Sequence, residues 1–416
     1  MAMTDLAEIA PFDPSLPDLI TDPYPIFARI REGDPFHWSK LGYWVVSRYD
    51  HVREVLMNRK DFGTGDFAQN LKLFYGPDFD VMANSGYRWL SEVFITQDPP
   101  QHTRIRTLVT GSLTAKRVRA LEPRIREICQ ELTNAFVANG HADLMTQFAY
   151  KLPVMVICEL MGIDYQTPEM IELIAAIPEA FVVFEARKLT AHELATANRR
   201  IDQLEAFFGA EFENRLAHPR DDLLTALAQT GTAPDGLTMH EATTVAIALF
   251  GAGFETTANI IGNGLYWLHR RPDQWDRLVA DPARLAASTN EEVLRYESSL
   301  VAGYRTALTD TAIAGHPVKA GERVLTLIGA ANRDGRKFVD PERFDIARGA
   351  ADHMSFGGGI HFCVGAELAR IEGRIAFEHL ATALPGMKVD LDTARWRENF
   401  LFRGLTRLEA HWNQRR

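Results

Sequence analysis

Cysteine is scarce in this 416-residue chain: Cys129, Cys158 and Cys363 are all there is. Three thiols far apart build no disulfide framework, and a structural zinc site wants about four Cys or His ligands at close spacing. Such cysteine usage fits a reducing cytoplasm. Positive charge is also short, with 45 Lys and Arg against 55 Asp and Glu for a net charge of −10. That balance excludes nucleic acid as the main partner, because phosphate binding needs a concentrated basic footprint. Long apolar runs are missing too. The longest, VAIALFGAGF at 245–254, falls well short of the ~18 residues that span a bilayer. The opening stretch MAMTDLAEIAPFDPSLPDLITDPYP is acidic and proline-rich, and reads as neither a signal peptide nor a membrane anchor. No membrane association is expected. The sequence also has no repeats, no low-complexity tract, no flexible linker and no glycine-rich dinucleotide fingerprint after a strand.

What remains is a globular composition, 46% apolar and 24% charged, in a chain long enough for a large core. Periodicity predicts one domain over residues 1–416, mainly α with a minor β portion. A short helix near Ile26, a strand in GYWVVSRYD and a helix in HVREVLMN come first. Residues 61–100 read as an irregular, aromatic-rich loop, with Phe62, Phe67, Phe74, Tyr75, Phe79, Tyr87, Trp89 and Phe94. A loop with that much apolar surface has something to cover. From about 100 to 269 the pattern is almost wholly helical. Two more helices follow in HRRPDQWDRLVADP and STNEEVLRYE, and strand-like pieces occupy 305–313 and 324–328.

The stretch HMSFGGGIHFCVG, residues 353–365, sets Cys363 among Gly357, Gly358, Gly359 and Gly365, just before a helical pattern over 366–384. Glycine is justified where the chain turns sharply or passes close to something bulky, and free N–H groups at a helix start favour a thiolate. Three uses compete for this cysteine. A nucleophile elbow wants a glycine two residues before the nucleophile, where His361 stands. A zinc site lacks further ligands nearby, since Cys129 and Cys158 fall in helical patterns as small apolar residues. A thiolate ligand to a haem iron needs one cysteine and small neighbours that let a flat macrocycle approach the backbone.

Residues 237–269 read as a single helix about 50 Å long, enough to cross the domain. It carries Glu255 and Thr256 directly after Gly251, Ala252 and Gly253. Two readings stand: a polar notch that moves protons or holds a water, or a threonine bonded back to its own helix beside a solvated glutamate. Glu292 and Arg295 are three apart and share a helix face. Arg305, His361 and the pair His102 with Arg106 are cations or bases in stretches expected to be partly buried, and a common anion such as haem carboxylates would suit them. Arg104, Arg117 and Arg119 form either a positive patch for an acidic protein or ordinary solvated helix faces.

In this order the motifs resemble the cytochrome P450 family in its soluble bacterial form, over essentially the full chain. Phe356, Gly359, Cys363 and Gly365 resemble the haem-thiolate loop. AGFETT resembles the oxygen-side groove, with Glu255 and Thr256 at its acid and alcohol positions. Glu292 and Arg295, together with Arg333 of ANRD, resemble the buried set that holds the core around the haem. DPPQHTRIR resembles the helix whose His102 and Arg106 meet a propionate, with Arg305 and His361 as the other propionate partners. Glu255 stands where aspartate is frequent, Leu113 where phenylalanine is, and Ser299 and Gly335 where prolines are. Without that proline the turn after Ser299 is expected to be less constrained.

The resemblance implies a monooxygenase that inserts one atom of O2 into a C–H bond, with Cys363 as the sole protein ligand to the iron of haem b. It implies that Thr256 and a water fed by Glu255 deliver protons. It also implies two electrons from a small ferredoxin served by an NAD(P)H-dependent ferredoxin reductase, docking near Arg104, Arg117 and Arg119 on a monomer. Ala248, Ala252, Phe181, Phe184, Leu300, Val301, Phe400 and Leu401 are expected to line the substrate pocket. Such apolar walls favour a small cyclic or aromatic substrate, hydroxylated or oxidatively dealkylated. Two alternatives differ in kind. A haem-thiolate peroxygenase has arginine and proline at the acid and alcohol positions, against Glu255 and Thr256 here. A non-catalytic haem-binding or sensor protein keeps the cysteine alone.

Overall fold

The structure, a computed structural model, describes residue 12 and residues 17–185, 187–349 and 352–413. Its axis is the helix Met239–Arg270, started by a reciprocal capping box between Thr238 and Glu241. By composition this helix is long and apolar enough to cross a membrane, but 78% of its most apolar window is buried inside the protein. Its hydropathy serves the core. Lys151–Met161 and Ala191–Ala217 pack along it, and Pro282–Tyr296 and Ala366–Ala383 pack against it and against each other. The β portion is small. Its main sheet runs in the order Phe36–Trp38, Trp44–Val46, Arg323–Thr326, Gly303–Ala307, Phe62–Gly63, with a parallel pairing only between the second and third.

Two expectations about local structure change. Residues 61–100 are not one irregular loop, for they contain the helices Phe67–Tyr75, capped by the Asp66 carboxylate, and Ser85–Glu92. The second buries Tyr87, Trp89 and Leu90; its eight residues are too few for a clear period in so aromatic a stretch. Ile328 begins the short helix Ile328–Ala331 instead of ending a strand.

Behind the cysteine, Glu292 and Arg295 form a wholly buried bidentate pair with both bonds at 2.8 Å. Arg333 is not its third member. Arg348 is, donating to Glu292 Oε1 at 3.2 Å, while Arg333 donates to the Tyr296 carbonyl and to Glu342. The Arg333 guanidinium lies between the rings of Tyr24 and Tyr296, 3.4 and 3.6 Å from their centroids. Sequence spacing alone could not tell which arginine folds back onto the pair. The turn at Ser299 also differs from expectation, because hydrogen bonds hold it in place of a proline. Asn259 donates to Ser299 Oγ at 3.3 Å, Arg403 N to Ser299 O at 2.8 Å, and Val301 N to Leu401 O at 3.0 Å.

Candidate active site

Cys363 follows a loop whose backbone forces glycine. Gly359 has φ +63°, and a Cβ there would lie 2.4 Å from the Leu56 carbonyl oxygen. The Cys363 N–H donates to Phe356 O at 2.9 Å, and the helix Ala366–Ala383 starts three residues later. Whereas the other two cysteines are buried, Cys363 is exposed. Protein packed around it nonetheless pushes its pKa up, while the Gly365 N–H and the charges of Arg106 and Arg370 pull toward the thiolate. Cys129 and Cys158 are buried and unlike it, with burial pushing the Cys158 thiol up to about 12.

His102, Arg106, Arg305 and His361 come from three separate parts of the chain and meet. The His102 and His361 rings lie 4.3 Å apart, and both nitrogens of each ring are buried without a hydrogen-bond partner. Arg305 donates only to the carbonyl of Tyr304, and Arg106 to the carbonyl of Phe362. Among the described residues neither arginine has a carboxylate partner. Asp98 pulls on Arg305 from a distance, but its oxygens accept the N–H groups of Thr64 and Gly65 at 2.9 and 3.0 Å. Burial, then the charge of Arg305, His102 and Arg106, pushes His361 down to about 3. Two arginines and two neutral imidazoles converge with four orphaned ring nitrogens. Arginine stays charged at any ordinary pH, so this cluster calls for an external anion. A haem with two carboxylates and an iron for the cysteine fits the donors present.

On the central helix, Ala252 is exposed, Gly253, Glu255 and Thr256 are half-buried, and Thr256 Oγ1 donates back to Ala252 O at 2.9 Å. The threonine thus makes the i−4 bond yet keeps its lone pairs on the accessible side. Glu255 is not a solvated glutamate. Arg397 holds it at 2.6 Å, and Tyr150 OH accepts from the same guanidinium at 2.9 Å. Burial raises the Glu255 pKa against the opposing pull of Arg397. Neither Arg397 nor Tyr150 stood out in the sequence, since a pair 142 residues apart leaves no local pattern.

Phe181 and Phe184 do gather with other rings. Phe181 stacks on Trp89 at 5.2 Å, Phe184 meets Phe181 at 5.4 Å, and Phe402 meets Phe184 at 6.2 Å. Phe181 presses on the central helix where Gly251 leaves room, since a Cβ there would sit 2.0 Å from its ring. Ala248 is buried and Leu300 half-buried beside this region. Val301, Phe400 and Leu401 go elsewhere. They sit in the core cluster of Phe12, Leu19 and Phe27, with the Phe400 ring 5.4 Å from Phe12. Phe402, at the end of the same turn, packs on the edge of that cluster and reaches Phe184 as well. Arg403, next in the chain, is buried on Glu297 at 2.5 Å. The expected positive patch is neutralised within the chain: Arg104 pairs with Glu241, Arg117 with Asp221 at 3.4 Å and Arg119 with Glu367 at 3.0 Å.

The cytochrome P450 family model matches residues 36–382. The chain is 35% identical to the cytochrome P450 monooxygenase PikC of Streptomyces venezuelae, over 96% of this chain and 93% of that one. It is also 35% identical to the vitamin D(3) 25-hydroxylase of Pseudonocardia autotrophica, with 93% of each covered. Among solved structures it resembles CalO2 with a TM-score of 0.88 at 28% identity, covering 97% of this chain and 99% of that one. CYP109E1 from Bacillus megaterium, solved with testosterone, gives 0.83 at 31% identity, with 95% and 99% covered. An exposed cysteine in a glycine-rich loop, a seat of unmatched cations and this likeness along nearly the whole chain agree: the protein belongs to the cytochrome P450 family and is a monooxygenase of the bacterial kind.

Proposed function

We propose that this chain, acting as a single unit and as a soluble cytoplasmic monomer, hydroxylates a compact apolar substrate with fused or aromatic rings, and that oxidative dealkylation is a variant outcome. The observation that carries the substrate reading is the aromatic wall of Trp89, Phe181, Phe184 and Phe402 beside the accessible Ala252. Rigid rings gain most from such a wall, at roughly 25 cal/mol per Å² of apolar surface buried. Arg403, the cation that follows Phe402 in the chain, is committed to Glu297. A relative named for hydroxylating vitamin D(3) and a structural neighbour solved with testosterone favour the same substrate class.

Cys363 would hold the iron of haem b, and His102, Arg106, Arg305 and His361 its carboxylates. The cofactor supplies the oxygen-activating redox chemistry, and the protein controls position, protons and water. Thr256 presents a hydroxyl whose own proton is committed to Ala252 O, so its lone pairs accept from a water and orient it. Glu255, anchored by Arg397, lies one residue away as a proton store. The apolar wall excludes bulk water, which keeps protons arriving only by this route. Electrons would come from a small ferredoxin and its NAD(P)H-dependent reductase. With Arg104, Arg117 and Arg119 paired internally, docking there requires the partner's carboxylates to displace those of this chain.

A spin-state titration of the ferric holoprotein tests the substrate reading, with terpenoids, steroids, benzoates and linear fatty acids as the panel. Near-complete conversion is expected with terpenoids or steroids. Conversion confined to fatty acids or benzoates overturns the substrate assignment and leaves the family untouched.

A further inference from the structure

Against the Phe356 ring lies a charge arrangement that the catalytic reading does not use. The Arg370 guanidinium stands over the Phe356 ring, 4.6 Å from its centroid. Glu291 grips that guanidinium with both oxygens, at 2.9 and 3.2 Å, and meets His353 Nε2 at 3.2 Å. His353 is itself wholly enclosed and lies 5.7 Å from the same ring. Its Nδ1 accepts the Ser355 N–H at 3.3 Å. A backbone N–H can only donate, so the imidazole proton sits on Nε2 and points at Glu291. Phe356 in turn accepts the Cys363 N–H. One fixed cation therefore faces the ring next to the cysteine, and its counter-charge lies between that cation and His353.

We infer that Arg370, oriented by Glu291 and His353, is a positioning residue that sets the reduction potential of the haem bound to Cys363. The inference rests on Cys363 being the iron ligand. One-electron reduction of a ferric thiolate centre adds a negative charge, and a nearby cation stabilises the reduced form more than the oxidised one. Phe356 and the cysteine loop keep water from that side of the charge, although the outer edge of Arg370 is screened by solvent. The paired Glu291 damps the effect and fixes the direction of the dipole.

The experiment is equilibrium redox titration of the substrate-free holoprotein, with the carbon monoxide spectrum as a separate check on thiolate ligation. Arg370→Met should shift the midpoint negative, on the order of a few-fold in the equilibrium constant for reduction. Arg370→Lys should recover most of that shift. Glu291→Gln, which removes the counter-charge, should move the midpoint the opposite way. General loosening of the loop would move both variants in the same direction, so equal-sign shifts, or none, overturn the proposal. If Arg370→Met takes up no haem, Glu291→Gln decides alone: a positive shift supports the proposal and any other result overturns it. Loss of the thiolate-type spectrum in the unsubstituted protein would instead refute Cys363 as ligand, which separates the two failures.

Discussion

Two groups of arginine, one fully buried around Arg295 and one half-buried around Arg305, are built on opposite principles. Around Arg295 every charge has its partner: Glu292 takes both its Nε and a terminal nitrogen, Arg348 completes the carboxylate, and the carbonyls of Asn332 and Pro341 accept the rest. Around Arg305 the balance is left open, with Arg106 and two histidines converging and no carboxylate bound among the described residues. A third group sharpens the contrast. Glu372 on the cysteine helix is buried, and among the described residues it has no ion pair and its Oε2 no hydrogen-bond partner. A lone buried glutamate escapes its cost by keeping a proton, as the upward shift from burial indicates. An arginine has no such escape. Half-buried arginines without a carboxylate, beside imidazoles whose ring nitrogens are orphaned, therefore mark a seat for an anion, whereas an unmatched glutamate marks only a proton.

The largest effect should come from breaking the completed group. Arg295→Met takes the bidentate partner from a Glu292 carboxylate at zero exposure and leaves it Arg348 and the Asp345 N–H, which should cost about 3 to 5 kcal/mol, a large share of a domain's stability. Denaturant unfolding of the apoprotein measures it. The open group should behave in reverse. Arg305→Gln removes a cation that nothing in the chain repays, so apoprotein stability should hold or rise while haem leaves faster. Loss of one charge-assisted hydrogen bond, about 1.5 to 3 kcal/mol, means at least tenfold faster transfer to an acceptor apoprotein. A fall in apoprotein stability like that of Arg295→Met would erase the distinction between the groups.

The lone acid gives the smallest effect, and its sign follows from linkage. The folded pKa of Glu372 lies above its unfolded value near 4.5, so the unfolded chain binds fewer protons and stability falls as pH rises past that value. Glu372→Gln lacks this loss. Its stability relative to the parent should increase by up to about 1.4 kcal/mol per pH unit, or about 1 kcal/mol between pH 5 and 6. Parallel denaturant curves at the two pH values check this, and a constant difference would show that Glu372 is ionised in the folded state.

How much of this was legible beforehand depends on the reach of each contact. The cysteine loop is a local motif, and its glycines, its cysteine and the following helix stand where the sequence predicts. The central helix was equally readable, because thirty residues of pattern leave little room for error in type. The partners of those elements were not. Arg348 completes Glu292 while Arg333, buried as expected, bonds elsewhere, Arg397 claims Glu255, and of the terminal turn Phe402 joins the aromatic wall while Phe400 does not. Each depends on which way a side chain turns after a loop, and a short loop can deliver either neighbour. The Ser299 turn makes the same point, since its rigidity comes from Asn259, forty residues away.

The claim that the open arginine group is a seat for carboxylates is tested most directly by binding two forms of one cofactor to the apoprotein. Haem and its dimethyl ester share the ring and the iron but differ in the two charges that His102, Arg106, Arg305 and His361 would meet. Titration followed by the Soret band should give binding at least tenfold tighter for the free acid, with the gap narrowed in Arg305→Gln. Equal affinity for acid and ester, or a gap that Arg305→Gln leaves untouched, would contradict the account.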